Sequence, residues 1–290
     1  AGDLGLGPNP KLAERVRNAD LLIVVGARMS ENMTGSYELL PAPRLPQPLV
    51  HVHPGIEELG KVYAPDLAIH ADLEEFCRAA AALAPRGPER AAWRHSARAD
   101  YESWTSPGKV HGAVHMGVVM RALRDLLPDD AILTNGAGNY ATWAHRYFRY
   151  KPAGPQLAPT SGAMGYGVPA AIAAKAAHPD RPVVALAGDG CLMMTGQELA
   201  TAVQYRLPVV MIVVNNGMYG TIRMHQERNY PARVIGTDLA NPDFPALARA
   251  YGAAGYRVDV TDRFAPVFAE ARARAEETRL PALIEIALDP

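Results

Sequence analysis

The stretch Gly188–Asn216, G-D-G-C-L-M-M-T-G-Q-E-L-A-T-A-V-Q-Y-R-L-P-V-V-M-I-V-V-N-N, decides the fold of this chain. It is entered from an apolar run, Val183-Val184-Ala185-Leu186-Ala187, and a second apolar run, Val209 to Val214, ends at Asn215-Asn216. Short continuous apolar runs bounded by turn residues read as strands buried on both faces. Twenty-four residues separate Gly190 from Asn215, room for one crossover helix. Thr195 and Glu198, three apart and just before Leu199, Ala202 and Val203, predict a capping box opening that helix. The unit is strand–helix–strand. Each strand delivers a small oxygen-bearing side chain at its C-terminal end, where open α/β sheets bind ligands.

The chemistry of those two ends is specific. Gly188 and Gly190 flank Asp189 and permit an approach that side chains would block. Backbone N–H groups beyond Gly190 would face a phosphate, as at any helix N-terminus. One carboxylate and one amide oxygen cannot complete the shell of a hard cation. They suit Mg²⁺, which takes few protein ligands and the rest from phosphates and water.

The same α/β alternation continues on both sides. Helices are predicted at Ala113 to Leu127, Tyr166 to Ala177, Gly196 to Tyr205, Phe244 to Tyr251 and Phe264 to Glu277. Strands are predicted at Ala131 to Thr134, Val183 to Ala187, Val209 to Val214, Tyr256 to Val258 and Ala282 to Ala287. Upstream, strands are predicted at Leu21 to Gly26, Pro48 to Val52 and Leu67 to His70, with Asp72 capping a helix over Leu73 to Leu83. Pro85-Arg86-Gly87-Pro88 is a boundary signal, and Glu89 to Trp104 reads as a polar linker helix. The expectation is an α/β protein of two doubly wound parallel-sheet domains: residues 1–87, a linker over 88–109, and 110–290. The first domain is expected to be incomplete, because a doubly wound domain should open with a strand and helix of its own, whereas about ten loop-like residues, Ala1 to Pro10, lead in here.

Bulk properties exclude several classes. Basic and acidic residues number 29 and 30, so nothing points to nucleic acid or an anionic membrane surface. No apolar run approaches the ~18 residues of a membrane span. Only Cys77 and Cys191 occur, without metal spacing, which predicts a reducing, cytoplasmic setting rather than a disulfide framework.

G-D-G followed about 25 residues later by N-N resembles the signature of thiamine-diphosphate-dependent enzymes, and the chain looks most similar to the acetolactate (acetohydroxyacid) synthase-like group. Ser161-Gly162-Ala163-Met164-Gly165-Tyr166-Gly167-Val168-Pro169-Ala170-Ala171 is similar to that group's G-x-M-G-[FY]-G-[LV]-P-A-A segment, and Asn215-Asn216-Gly217-Met218-Tyr219-Gly220 to its N-N-x-x-x-G. Residues from about 110 to 288 look like a whole pyrophosphate-binding domain, and residues 1 to about 85 like part of the central domain.

The resemblance implies thiamine diphosphate held with Mg²⁺ by Asp189, the Asn216 side chain and the Met218 carbonyl. It implies cofactor contacts from the loop Asn135-Gly136-Ala137-Gly138-Asn139, from Gly162 and Met164, from Gly188, Gly190 and Cys191, and from Tyr219 and Gly220. Met164 would wedge between the two cofactor rings, as a flexible thioether can. The implied reaction is decarboxylation of a 2-oxo acid with transfer of the remainder to an acceptor carbonyl. The family alternatives are a lyase or decarboxylase that releases an aldehyde, or a catalytically silent cofactor-binding fragment. The catalytic glutamate belongs to a pyrimidine-binding domain that this sequence lacks. No catalytic base can therefore be named here, and a homodimer or homotetramer is expected.

Where the synthases carry R-x-W-Q this chain has Arg223-Met224-His225-Gln226, which makes Arg223 and His225 candidate substrate contacts and leaves the acceptor open. Gly26-Ala27-Arg28-Met29-Ser30-Glu31-Asn32 and His51-Val52-His53-Pro54 depart from the family's FAD-contacting segments, which weighs against FAD. His51 and His53 share a strand face, but no further ligand stands near them for a metal.

Overall fold

The computed structural model describes residues 1–84 and 90–289 and divides into two compact units, Ala1–Thr105 and Ser106–Pro290. The Pro85–Pro88 boundary signal, and Glu89 at the start of the expected linker helix, lie outside the described residues.

The first unit contains a parallel sheet of β1 (Leu22–Val25), β2 (Leu49–His53) and β3 (Leu67–His70) in that order. Asn9 caps the helix Pro10–Arg17 by accepting from Lys11 N, and Asp72 caps Leu73–Ala81 by accepting from Glu74 N and Glu75 N. Leu49, Tyr63, Leu39, Leu40, Met29 and Ala13 form its core. The helix Ala91–Trp104, expected as a linker, is packed on the first unit. Its Asp100 binds Lys11 at 2.8 Å and Arg15 at 2.6 Å, and Asn9 Nδ2 donates to the Asp100 carbonyl. The Lys11 hydrogen bond, then that of Arg15, holds the Asp100 carboxyl below its usual range. Charge complementarity across 89 residues of sequence docks this helix, and local pattern does not reveal such pairs.

The second unit is a six-stranded parallel sheet. Its strands are β4 (Ile132–Asn135), β5 (Gln156–Leu157), β6 (Val183–Gly188), β7 (Val210–Asn215), β8 (Ala254–Val258) and β9 (Ala282–Ala287), ordered β5-β4-β6-β7-β9-β8. After β4 the chain steps out to β5 and returns to β6, so the order reverses between β4 and β6. That reversal makes the sheet doubly wound and opens a crevice at the strand ends. The described strands of the first sheet show no such reversal.

Alternation along the buried strands divides the core. Val184, Leu186, Val210, Ile212 and Ile284 pack with Val119, Met120, Leu123, Phe264 and Phe268 on one face. Val183, Ala185, Met211, Val213 and Leu283 pack with Val168, Ile172, Leu199 and Phe244 on the other. Both faces are apolar because helices cover both, as parallel sheets require. The short β5 was not expected from sequence.

The crossover after β6 differs from its sequence reading. Helix begins at once, Asp189–Thr195, followed by a short 3₁₀ turn at Gly196–Glu198 and helix Leu199–Gln204. The predicted capping box is not made. Thr195 Oγ1 donates to the Gly165 carbonyl at 2.8 Å, and Glu198 Oε2 accepts from Thr201 Oγ1 at 2.7 Å. A tertiary acceptor outcompetes the local one.

Candidate functional site

A cavity of about 270 Å³ lies at the β4/β6 switch point, entirely within the second unit. Part of its polar lining comes from the residues at and just beyond the ends of β6 and β7. Gly188 ends β6 in extended conformation, and Asp189 opens the following helix. A helix N-terminus at a strand end favours an anion.

Asp189 is only 3% exposed. Its Oδ1 accepts from Gly190 N at 2.8 Å. Its Oδ2 accepts from Gly217 N and Asn241 Nδ2, each at 2.8 Å. Three donors leave the carboxylate little freedom to turn. Asn216 and Met218 stand in the same wall. Among the described residues the Asn216 side chain makes no protein hydrogen bond, and the Met218 carbonyl accepts from Gly220 N at 3.0 Å. The structure thus brings Asp189, Asn216 and Met218 to one place.

Trp143, Met164, Val214, Ile222 and Leu288 are apolar members of the same lining. Met164 is partly buried and packs against the core. Two glycines are close-packed into the wall. A Cβ on Gly190 would lie 2.5 Å from Tyr219 Cε1, and one on Gly188 2.8 Å from Tyr140 Cδ1. Behind them the buried Cys191 thiol accepts from Gly165 N at 2.9 Å and from the Tyr140 hydroxyl at 3.2 Å. Burial, then the neighbouring Cys191, pushes the Tyr140 phenol far above its ordinary range.

The sequence-predicted residues divide into two groups. Ala137 and Gly138 join Gly188, Gly190, Cys191, Tyr219 and Gly220 in the cavity wall. Asn135, Gly136 and Gly162 do not line it. Asn135 is buried and its amide is spent inside the loop, donating to the Gly136 carbonyl at 2.8 Å and accepting from Gln156 Nε2 at 2.7 Å. A Cβ on Gly136 would meet Cys191 Sγ, which makes Gly136 a packing glycine. Arg223 pairs with Glu227 and Asp238, and neither Arg223 nor His225 reaches the wall. His51 Nε2 lies 2.8 Å from the Ala27 carbonyl, and His53 Nδ1 accepts from Gly55 N at 2.9 Å, so both rings are occupied by backbone. Among the described residues no group of three or more His, Cys, Asp or Glu could hold a metal.

Asn139, the last residue of the expected loop, also lines the wall, while sequence reasoning missed Tyr140, Trp143 and Thr221 in it and Asn241 behind it. Asn139 N and its Oδ1 both bond Thr221 Oγ1, at 2.9 and 3.0 Å, joining the loop after β4 to the helix Gly220–Asn229. Asn241 sits in an Asn-Pro-Asp string that signals a helix start, with nothing local to announce a second role.

A doubly wound parallel sheet with a Gly-Asp-Gly turn and an Asn pair around a cavity at its switch point defines a ligand-binding α/β domain. Sequence comparison makes the class definite. The C-terminal TPP binding domain of thiamine pyrophosphate enzymes matches residues 136–286, and the central domain of the same enzymes matches residues 1–80. The chain belongs to the thiamine pyrophosphate enzyme family.

It is 39% identical over 269 residues to the acetolactate synthase large subunit of Parasynechococcus marenigrum, covering 90% of this chain and 42% of that protein. It is 30% identical over 268 residues to the acetolactate synthase isozyme 2 large subunit of Escherichia coli, covering 90% and 47%. It is 33% identical over 234 residues to the pyruvate oxidase of Lactiplantibacillus plantarum, covering 79% and 38%. The chain spans less than half the length of these relatives. No helix among the described residues is long and apolar enough to cross a membrane.

The residues present fit the cofactor that the family name implies. A diphosphate with its cation needs oxygen ligands beside a helix N-terminus, and Asp189, Asn216 and Met218 stand there. An aromatic ring system needs apolar walls, and Met164, Trp143 and Ile222 supply them.

Proposed function

We propose that the protein is part of a thiamine-diphosphate- and Mg²⁺-dependent enzyme of acetolactate-synthase type. It would decarboxylate a 2-oxo acid and join the remaining fragment to an acceptor carbonyl. The observation that carries this reading is the meeting of Asp189, Asn216 and Met218 in the wall of one cavity that Met164, Trp143 and Ile222 also line. The synthases among the relatives support the carboligating form of the chemistry.

In this reading Asp189, the Asn216 side-chain oxygen and the Met218 carbonyl hold Mg²⁺, and the helix opening at Asp189 faces the diphosphate. The bound cofactor supplies an electron sink for loss of CO₂. The chain's own residues orient and enclose it. Tyr140 and Cys191, bonded to each other, would support the wall, and Met164 would contact the ring system. Trp143, Val214 and Leu288 would help exclude water. The proton chemistry belongs to a pyrimidine-binding domain, supplied by a homodimeric or homotetrameric partner. Two unpaired cysteines support a reducing cytoplasmic setting.

Two measurements on the full-length enzyme test the proposal. Pyruvate turnover with mass-spectrometric product analysis should give an acetohydroxy acid. Release of acetaldehyde or acetate alone would favour a decarboxylase or an oxidase, as the pyruvate oxidase among the relatives suggests. Calorimetry on Asp189→Ala should show loss of Mg²⁺-dependent cofactor binding, and unchanged affinity would sink the metal assignment.

A further inference from the structure

Glu285 is an anomaly in an apolar sheet. It lies in β9 opposite Val213 of β7, and Met211, Val213 and Leu283 on the same face are buried and apolar. Glu285 is 2% exposed. Its Oε1 accepts from Asn215 Nδ2 at 2.7 Å, while Oε2 has no hydrogen-bond partner and lies 3.8 Å from the guanidinium of Arg257. Arg257 stands directly across on β8, so Arg257, Glu285 and Asn215 form a diagonal row over three strands. A buried carboxylate with one oxygen unsatisfied is costly and calls for a reason.

The reason lies at the far end of the row. Asn215 Oδ1 accepts from Gly217 N at 3.1 Å and from Asn241 Nδ2 at 2.9 Å. Asn241 Nδ2 donates also to Asp189 Oδ2 at 2.8 Å. The direction of each amide is forced by its neighbours. Gly217 N is a donor, so the Asn215 atom beside it is the oxygen, and the amide nitrogen therefore faces Glu285. Asn241 faces two acceptors, so it presents its NH₂. If Asn215 turned over, its NH₂ would oppose both Gly217 N–H and the Asn241 NH₂. If Asn241 turned over, its oxygen would face the Asp189 carboxylate.

We infer that Glu285 is a positioning residue for Asp189: its oxygen locks the Asn215 amide, which orients the Asn241 amide, which holds the carboxylate that binds the metal. The inference rests on the reading of Asp189 as a metal ligand. Asn241 is the second positioning residue, and Arg257 offsets the buried charge at the other end.

The test measures, by calorimetry in the full-length enzyme, the Mg²⁺ concentration that half-saturates thiamine diphosphate binding, with melting of the cofactor-free protein as the stability control. Glu285→Leu and Asn241→Ala should each raise that concentration about 10–100-fold, the usual effect of losing an outer partner of a metal ligand. Glu285→Gln should stay within about threefold, because its amide oxygen can still accept from Asn215. The double variant Glu285→Leu/Asn241→Ala should be no worse than either single, since both cut one chain. Losses that multiply in the double variant, or a Glu285→Gln as weak as Glu285→Leu, overturn the relay. If Glu285→Leu does not fold, Asn241→Ala decides, and an unchanged Mg²⁺ requirement there overturns it. Asp189→Ala separates the two layers. If that variant keeps its Mg²⁺ dependence, the metal reading itself fails, whereas loss there with no effect at Asn241 and Glu285 removes only the relay.

Discussion

The Tyr140 hydroxyl donates to the Cys191 thiol at 3.2 Å across 51 residues of sequence, joining the loop after β4 to the Gly-Asp-Gly turn after β6. The same sulfur accepts from Gly165 N, so one buried atom ties together the three segments that shape the cavity. The phenol must stay protonated to make this bond.

That requirement sets a pH dependence. Burial, then Cys191, raises the Tyr140 pKa above its ordinary value of 10.0. The folded protein therefore keeps a proton that the unfolded chain loses above about pH 10. Stability is fully present below that pH and falls as pH rises, by about 1.4 kcal/mol per pH unit for one group. Thermal melting from pH 8 to 11.5 should show this decline, and Tyr140→Phe should flatten it while lowering stability at pH 8 by about 1 kcal/mol, the worth of a hydrogen bond. An unaltered alkaline slope in Tyr140→Phe would assign the decline to other groups.

Two glycine substitutions should separate steric from conformational cost. A Cβ on Gly167 would lie 2.8 Å from Gly136 N and 2.9 Å from the Asn135 carbonyl carbon, both backbone atoms that cannot swing away. Gly167→Ala should therefore destabilise by about 1–3 kcal/mol, despite alanine's better helix propensity. Gly162 has a φ of +69° with open space around its Cβ position. Gly162→Ala should cost only the left-handed strain, about 1 kcal/mol. Urea titration gives both values, and a larger effect at Gly162 would mean the close approach of Gly167 is readily relieved.

How much of this was legible in sequence follows from the range of each contact. The strands β6 and β7 announce themselves as continuous apolar runs, because helices cover both faces of the sheet. Asp189 and the Asn215-Asn216 pair were legible because they stand at strand ends, whereas Met218 as a ligand was carried by the family resemblance. The capping box at Thr195 and Glu198 was misread because the Thr195 hydroxyl goes to Gly165, 30 residues away. Asn241 and Glu285 were invisible for the same cause, their partners Asp189 and Asn215 lying 52 and 70 residues off. Arg223 and His225 were carried by family position, yet the helix Gly220–Asn229 turns Arg223 to Glu227 and Asp238 instead of to the cavity.

Met164 should matter more to rate than to binding. Its side chain is an apolar part of the cavity wall and offers no oxygen ligand, whereas Asp189 and Asn216 would anchor the diphosphate. Met164→Ala should lower turnover of the full-length enzyme about 10–100-fold, as misplacement of reacting groups does, with cofactor affinity within about threefold. Equal turnover would make Met164 an ordinary core residue, and an affinity loss matching the rate loss would make it an anchor.

The rim of the cavity should control release. Thr221 Oγ1 both accepts from Asn139 N and donates to Asn139 Oδ1, and these two bonds join two segments of the cavity wall, the loop after β4 and the helix Gly220–Asn229. Thr221→Val keeps the shape and removes both. The bonds are exposed, so their joint contribution is about 1 kcal/mol. Cofactor release should quicken about fivefold while association is unchanged, since the variant alters neither the oxygen ligands nor the apolar wall. Stopped-flow measurement of Trp143 fluorescence, against a Trp143→Phe control, reads both rates. A slower association with unchanged release would place Thr221 on the entry path instead of in a clasp across it.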